Sequence, residues 1–105
     1  MTLNEFGDLI GTVDPGARHY TTAARGAFTT WAEYSRMDEY SDGQNAGGWK
    51  IQVERYTQRD HDPIAEALDA LFASQEDISY THQIDTEGDG ENLTIRHLFD
   101  CEVLL

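Results

Sequence analysis

The feature that most constrains the fold is a strand pattern followed directly by a helix pattern in residues 49–72. In residues 49–57 (WKIQVERYT) apolar and polar side chains alternate, which is typical of a half-buried strand. Asp62 and Pro63 then mark a helix start, because aspartate caps free backbone N–H groups and proline lacks the N–H that a first turn leaves unpaired. A strand that leads into a packed helix predicts the centre of a small α+β domain. The apolar stripe of that helix is formed by Ile64, Leu68, Leu71 and Phe72.

The stripe also predicts which side chains of the central helix are buried. We expect Leu68, Leu71 and Phe72 to pack on the sheet, and Asp69 to face solvent.

Length and charge limit the class of protein. A chain of 105 residues is long enough for one domain, residues 1–105, with its own core. Its 20 Asp and Glu against 7 Lys and Arg give a formal charge of −13, which argues against direct nucleic-acid binding because phosphates are repelled. No apolar run approaches the length of a membrane span, and no signal peptide is recognisable, so we expect no membrane association. The single cysteine, Cys101, excludes an internal disulfide and is typical of a reducing cytoplasm.

Further signals predict one more helix and three more strands. Thr2 and Glu5 form a capping box before a short apolar face, so a short N-terminal helix should dock on the sheet. Residues 27–34, 78–84 and 93–103 show strand alternation. The order is therefore helix, strand, strand, helix, strand, strand. It predicts an α+β fold with a single four-stranded, mainly antiparallel sheet, on which the central helix and the short N-terminal helix pack.

One set of candidate metal ligands lies between the last two strands. Asp85, Glu87, Asp89 and Gly90 resemble the first half of a calcium loop. The twelfth position, which should be a bidentate glutamate, is Arg96 and falls inside a strand pattern. A solvated hairpin tip is the better interpretation.

A second set lies before the central helix. Asp60, His61 and Asp62 could supply ligands, and His82 or His97 could join them from the sheet. Their spacing matches no zinc pattern, and helix capping already explains Asp62. We therefore predict no metal site and no cofactor.

Catalytic motifs are also missing from the sequence. It contains no nucleophile elbow, no phosphate-binding glycine loop and no paired carboxylates on one helix face. His97 and Cys101 share one face of a strand but lie too far apart for the imidazole to activate the thiol. We expect Cys101 to be a buried small hydrophobe and His97 to be a core histidine with its hydrogen bonds satisfied. The protein is predicted not to be an enzyme.

A long polar connection, residues 35–48, separates the first two strands. It is long for a hairpin loop, and long loops in compact domains are often functional. Apolar side chains exposed in such a loop would mark a partner surface. We predict a self-assembly or partner surface formed by Met37, Asp38, Glu39, Tyr40 and Asp42.

Several of these segments together resemble those of small tail proteins from long-tailed phages and prophages. The family includes tail-terminator, or tail-completion, proteins and their minor capsid and head–tail joining relatives. The resemblance covers about residues 17–104 and includes the N-terminal helix only as a type of element. The segments that carry it are 28–34 (FTTWAEY), 42–43 (DG), 49–57 (WKIQVERYT), 60–64 (DHDPI) and 97–102 (HLFDCE).

This resemblance implies a tail-terminator-like domain that assembles into a ring, commonly of six copies. Such a subunit is made in the bacterial cytoplasm and resides in the virion at the tail–head junction. The implied partners are copies of itself, the tail-tube protein and the head-connector proteins. The ring caps the tail tube and requires no chemistry. Acidic walls also suit a channel that passes DNA without binding it.

The charge equally favours a second class, an acidic DNA mimic that inhibits a DNA-binding protein. The position of the acids separates the two classes. A mimic needs them in ordered rows on one convex face, whereas a ring subunit can concentrate them on a loop and at the edge of its lumen.

Overall fold

The computed structural model describes residues 1–20, 26–37 and 47–104, which form a mixed β-sheet and two α-helices. A single turn of 3-10 helix, Gly90–Asn92, lies between the last two strands. In chain order the elements are α1 (Leu3–Gly11), β1 (Arg18–His19), β2 (Phe28–Met37), β3 (Gly48–Thr57), α2 (Pro63–Ala73), β4 (Ile78–Glu87) and β5 (Thr94–Leu104).

The sheet has five strands in the order β1-β2-β3-β5-β4. All neighbouring strands are antiparallel except β1, which pairs with β2 in parallel through Arg18 and His19. The predicted α+β class and order of the main elements are confirmed, whereas the predicted count of four strands is wrong. A two-residue strand is too short for any alternation of side chains, so sequence periodicity could not indicate it.

Both helices begin where the sequence predicts. The Glu5 backbone N–H donates to the Thr2 hydroxyl at 3.1 Å, and the Thr2 N–H donates to the Glu5 carboxylate at 2.9 Å, which completes the capping box. At α2 the Asp62 carboxylate accepts from the Ala65 N–H at 3.1 Å, and Pro63 is the first helical residue. These caps fix the two helix starts in place.

Both helices pack on the same face of the sheet. Phe6 of α1 stacks on Phe72 of α2 with ring centroids 5.9 Å apart, and the edge of Phe72 meets Phe99 of β5 at 5.5 Å. Leu68 is fully buried, as predicted, but Leu71 is only half-buried. The fully buried apolar side chains of the core are Phe6, Ile10, Ile51, Val53, Leu68, Phe72, Phe99, Cys101 and Val103.

Asp69 does not simply face solvent. Its carboxylate accepts a hydrogen bond from the Tyr80 hydroxyl at 2.7 Å, and the residue is half-buried. Tyr80 lies on β4 beside the helix, so this bond ties α2 to the edge of the sheet.

Two strands extend further than their patterns predict. β2 continues to Met37 and β4 to Glu87. Most side chains at these strand ends are polar and not buried, so the sequence shows no alternation of apolar and polar residues there, although the backbone pairing continues. Part of the predicted 35–48 loop is therefore strand, and residues 38–46 of it lie outside the described residues.

Candidate functional site

The opposite face of the sheet is not covered by any described element. It carries the polar positions of β3 and β5, and these are half-buried or exposed. A groove of about 440 Å³ crosses this face beside Tyr34. The other lining side chains include Lys50, Ser79, Thr81, Asp100 and Glu102. We call this surface the open face.

Tyr34 is the most prominent side chain of the open face. The residue is 52% exposed, and its hydroxyl donates to Asp100 at 2.8 Å. That hydrogen bond to a carboxylate raises the pKa of Tyr34 to about 12, so the phenol stays protonated at neutral pH. A β-bulge between Glu33 and Ser35 lies at this residue. An exposed aromatic with an anchored hydroxyl suits contact with another protein better than proton transfer.

Charges on the open face are compensated internally. Arg96 donates to Glu54 at 3.1 Å and to Asp85 at 3.0 Å. The candidate calcium ligand Asp85 lies within β4 and is paired with an arginine of β5 inside the β4–β5 hairpin. Across the groove, Lys50 and Glu102 approach to 4.0 Å.

The outer edge of β4 has no partner among the described strands. All ten residues of this strand pair with β5 on one side only. Residues 81–87 are exposed, and Ile84 remains 60% exposed despite its apolar side chain. Unpaired backbone groups on a long edge are a ready template for another strand.

A buried cation lies at the other end of the helix-covered face. Arg55 is 5% exposed and donates to Asp62 at 2.7 Å and to Thr29 at 3.3 Å. Asp14 lies 3.7 Å from the same guanidinium. Burial acts to raise the pKa of Asp62, but the Arg55 contact outweighs it and holds that pKa below its usual value. This cluster was not predicted from the sequence, although strand alternation puts Arg55 on the side of Ile51 and Val53.

Residues of the second candidate metal-ligand set line one cavity of about 200 Å³, which we call the histidine cavity. His82 Nε2 and His97 Nδ1 are 2.9 Å apart, and the side chain of His61 points away, 91% exposed. In the described part of the chain, no group of three or more His, Cys, Asp or Glu side chains is placed to hold a metal ion. The residues around the cavity include Asp60, Asp62, Glu66, His82, Ile84 and His97.

His97 differs from the prediction of a satisfied core histidine. It is 9% exposed, and its Nε2 has no hydrogen-bond partner within the described ranges. Among the described residues its hydrogen-bond partner is His82, which meets the other ring nitrogen, Nδ1. Cys101 is fully buried, as expected, and burial raises the pKa of its thiol to about 12.

The predicted partner surface is only partly within the described residues. Met37 is not in a polar loop but ends β2, where it is half-buried and pairs with Gly48. A Cβ on Gly48 would clash with the Val103 carbonyl oxygen and would lie 2.7 Å from Met37 Cε, so the strands approach closely there. The other four predicted residues, Asp38, Glu39, Tyr40 and Asp42, lie outside the described residues.

No protein-family model matches this chain, and no curated protein matches it either. Neither described helix is long and apolar enough to cross a membrane.

Proposed function

We propose that this protein is a ring-forming structural subunit of a long-tailed phage or prophage, a tail terminator or head–tail joining protein that caps the tail tube. The observation that carries the proposal is the one-sided sheet. Its helices cover one face and leave the open face and the ten-residue edge of β4 for neighbours. The family resemblance of residues 17–104 gives these surfaces their role.

A subunit of a closed ring needs two different contact surfaces, because each copy meets one neighbour on either side. The β4 edge offers backbone donors and acceptors, together with the exposed side chain of Ile84. The open face offers Tyr34, a residue type that is enriched at interfaces. We propose that these surfaces meet successive neighbours, and that Met37, Asp38, Glu39, Tyr40 and Asp42 add to the contact.

The chemistry of the described residues supports a structural role. The one thiol is buried and protonated, and the buried arginine is neutralised by Asp62. Neither group can act on a substrate from the surface.

The distribution of exposed acids over the described residues argues against a DNA mimic. Exposed acids lie on α1 (Glu5), on α2 (Glu66), in the β4–β5 turn (Asp89) and on the open face (Glu102). They are spread over several sides, whereas a mimic needs them in rows on one face. A formal charge of −13 also suits a channel wall that DNA passes without binding.

The proposal is tested by assembly with a matched pair of variants. Gln83→Asp adds a negative charge on the β4 edge, and Gln58→Asp adds the same charge at an exposed position after β3. Sedimentation velocity and electron microscopy should show rings for the wild type and Gln58→Asp. Gln83→Asp should require about tenfold more protein to assemble, which corresponds to about 1.4 kcal/mol.

Function is tested on growing tail tubes. Added wild-type protein should limit tube length, measured by electron microscopy, and Gln83→Asp should be weaker. A protein that stays monomeric, leaves tubes unaltered and stoichiometrically inhibits a DNA-binding enzyme would instead be a DNA mimic.

A further inference from the structure

The outer edge of β4 carries an exposed segment, residues 81–87, beside which no described strand lies. The start of the strand is different, because Ile78 is buried and the half-buried Tyr80 is held by Asp69 of α2. Ile84 lies at the midpoint of the exposed segment and is 60% exposed. An unpaired strand edge with an exposed apolar side chain at its centre is a template for a further strand.

The backbone of this segment presents its free groups at every second residue. The Leu104 N–H donates to the Asp77 carbonyl at 2.9 Å, so the backbone groups of Asp77 point towards β5. Backbone groups of successive residues in a strand point to alternate sides, and β4 pairs with β5 without a register shift. The N–H and C=O groups of His82, Ile84 and Thr86 therefore point outwards, where no described strand receives them.

We propose that the β4 edge pairs with the β4 edge of a second copy of this chain, antiparallel and around a two-fold axis at Ile84. In this pairing Ile84 lies opposite its twin, and His82 of each copy lies opposite Thr86 of the other. These are the residues whose backbone groups point outwards, so each opposed pair exchanges two N–H···O bonds. The pairing uses the exposed segment from end to end and joins the sheets of the two copies into one.

The acidic side chains of the segment select this axis. Asp85 of each copy lies opposite Gln83 of the other. In the same way, Glu87 lies opposite Thr81, so each acid meets a side chain that can donate a hydrogen bond. An axis at Asp85 would place that carboxylate opposite its twin, and an axis at Thr86 would place Asp85 opposite Glu87. Like charges directly opposite each other are destabilising, so both of these registers are disfavoured.

The apolar side chain at the centre excludes the register on the other side. The two Ile84 side chains cover each other only when the axis passes through that residue. With the axis at Gln83, each Ile84 would lie opposite His82 of the other copy. That register would also require Tyr80, which α2 holds, to pair with Thr86.

The charge of the chain limits how strongly two copies associate. Each copy has a formal charge of −13, so the pairing has to overcome a repulsion whose range salt shortens. Strand pairing and the Ile84 contact supply the attraction, and the dimer should strengthen as salt is added. The inference goes beyond the proposed function, because the open face with Tyr34 stays uncovered in the dimer whether or not the copies close a ring.

Cysteine cross-linking tests the position of the axis. A two-fold axis places one position opposite itself, with about 5.5 Å between the Cα atoms, which a disulfide can span. Ile84→Cys should therefore form a covalent dimer with oxidised glutathione, seen by non-reducing electrophoresis. Cys101 is buried, so the wild type should stay free of cross-links under the same conditions.

A second pair of variants tests the register. Thr81→Cys and Glu87→Cys should not cross-link when each is oxidised alone, because equal positions then lie about 20 Å apart along the strands. An equimolar mixture of the two variants should cross-link, because residue 81 of one copy lies opposite residue 87 of the other.

Sedimentation equilibrium at physiological salt measures the contact without a cross-link. Ile84→Asp places two carboxylates opposite each other and should raise the dimer Kd about tenfold or more. Leu104→Asp adds the same charge at the end of β5, at a residue that is 45% exposed, and should leave the Kd within about threefold.

The proposal is overturned by a wild type that stays monomeric at high concentration and high salt, or by equal weakening from Ile84→Asp and Leu104→Asp. It is also overturned by an Ile84→Cys protein that self-associates without cross-linking. That last result would mean that the edge meets a different surface, as in a head-to-tail ring, and would leave the proposed function intact.

Discussion

At the scale of single residues, the two leucines of α2 differ in how deeply they are buried. Leu68 is fully buried against the sheet, whereas Leu71 is half-buried. We expect Leu68→Ala to lower the free energy of unfolding by about 2–5 kcal/mol, because it leaves a cavity in the core. Leu71→Ala should cost clearly less, because the surrounding solvent can fill part of the space. Urea denaturation of both variants measures the difference, and equal losses would show that the helix is rotated from its described position.

The ion pair of Asp62 with Arg55 predicts a pH-dependent loss of stability. Asp62→Asn keeps a capping oxygen but removes the charge that neutralises a guanidinium 2.7 Å away. We expect it to cost about 3 kcal/mol at neutral pH, the low end for breaking a buried pair, because Asp14 still lies 3.7 Å from Arg55.

The sign of the pH effect follows from the lowered pKa of Asp62. Its contribution to stability is complete above the unfolded-state pKa of about 3.9 and is lost as the pH falls through the lower folded-state value. The gap between wild type and Asp62→Asn should therefore narrow below about pH 4, measured by urea denaturation from neutral to acidic pH. Asp89→Asn, at an exposed position, should change stability by less than about 0.5 kcal/mol throughout. If the difference in free energy of unfolding between the two proteins stays constant with pH, the variant loses stability through packing and not through the lost charge.

Residue-level prediction from sequence succeeds where one local rule acts alone. The caps at Thr2 and Asp62 were predictable because the capping residue and its partner lie three positions apart. The buried Nε2 of His97, which has no hydrogen-bond partner among the described residues, was not predictable, because it depends on how the fold places His97 beside His82 of another strand. The burial of Arg55 could have been predicted from strand alternation alone, because the alternation places this charged residue on the core side of β3. A buried charge there requires a counter-charge.

At the scale of elements, α1 is held by the close approach of its backbone to Trp31. A Cβ on Gly7 would lie 2.8 Å from Trp31 Cζ2, whereas no described atom lies within 4 Å of a Cβ on Gly11. Trp31 cannot move aside easily, because it packs between the edge of Phe6 and the ring of His19.

Substituting alanine for these two glycines should change the stability of the protein in opposite directions. Gly7→Ala should destabilise the protein, because overpacking costs about 1–3 kcal/mol and the gain in helix propensity is only about 1 kcal/mol. Gly11→Ala carries the propensity gain without the clash and should be neutral or stabilising by up to about 1 kcal/mol. Thermal or urea denaturation of both variants decides, and a stabilising Gly7→Ala would mean that α1 does not contact Trp31 as described.

Element types were largely predictable from sequence, and element ends were not. β3, β4 and β5 show side-chain alternation over the part of each strand that packs against the helices, whereas three consecutive residues of β2, 29–31, are buried. Met37 and Glu87 lie where strands continue by backbone pairing beyond the helices, so their side chains show no burial pattern. β1 exists only because Arg18 and His19 lie beside Thr30 and Trp31, which is a tertiary effect.

At the scale of the whole molecule, the sequence predicts the net charge but not the surfaces that the fold leaves uncovered. The net charge is read directly from the sequence, and the expectation that the protein does not bind DNA nonspecifically rests on it. The open face and the histidine cavity require the sheet order, because β5 lies between β3 and β4 and brings His97 beside His82. Hairpin signals alone place β4 next to β5 but leave the neighbour of β3 open.

The same charge predicts how ring assembly should respond to salt. Six copies would each bring a formal charge of −13, so repulsion between subunits opposes closure of the proposed ring. Salt shortens the range of this repulsion from about 30 Å at 0.01 M to about 8 Å at physiological ionic strength. We therefore expect dilute protein at low salt to be monomeric, and added salt, magnesium or protein to shift it to a closed oligomer. Sedimentation velocity across a salt series measures the shift. An assembly that weakens as salt rises would contradict this expectation, since its contacts would then be attractive ion pairs rather than strand pairing and apolar burial that act against net repulsion.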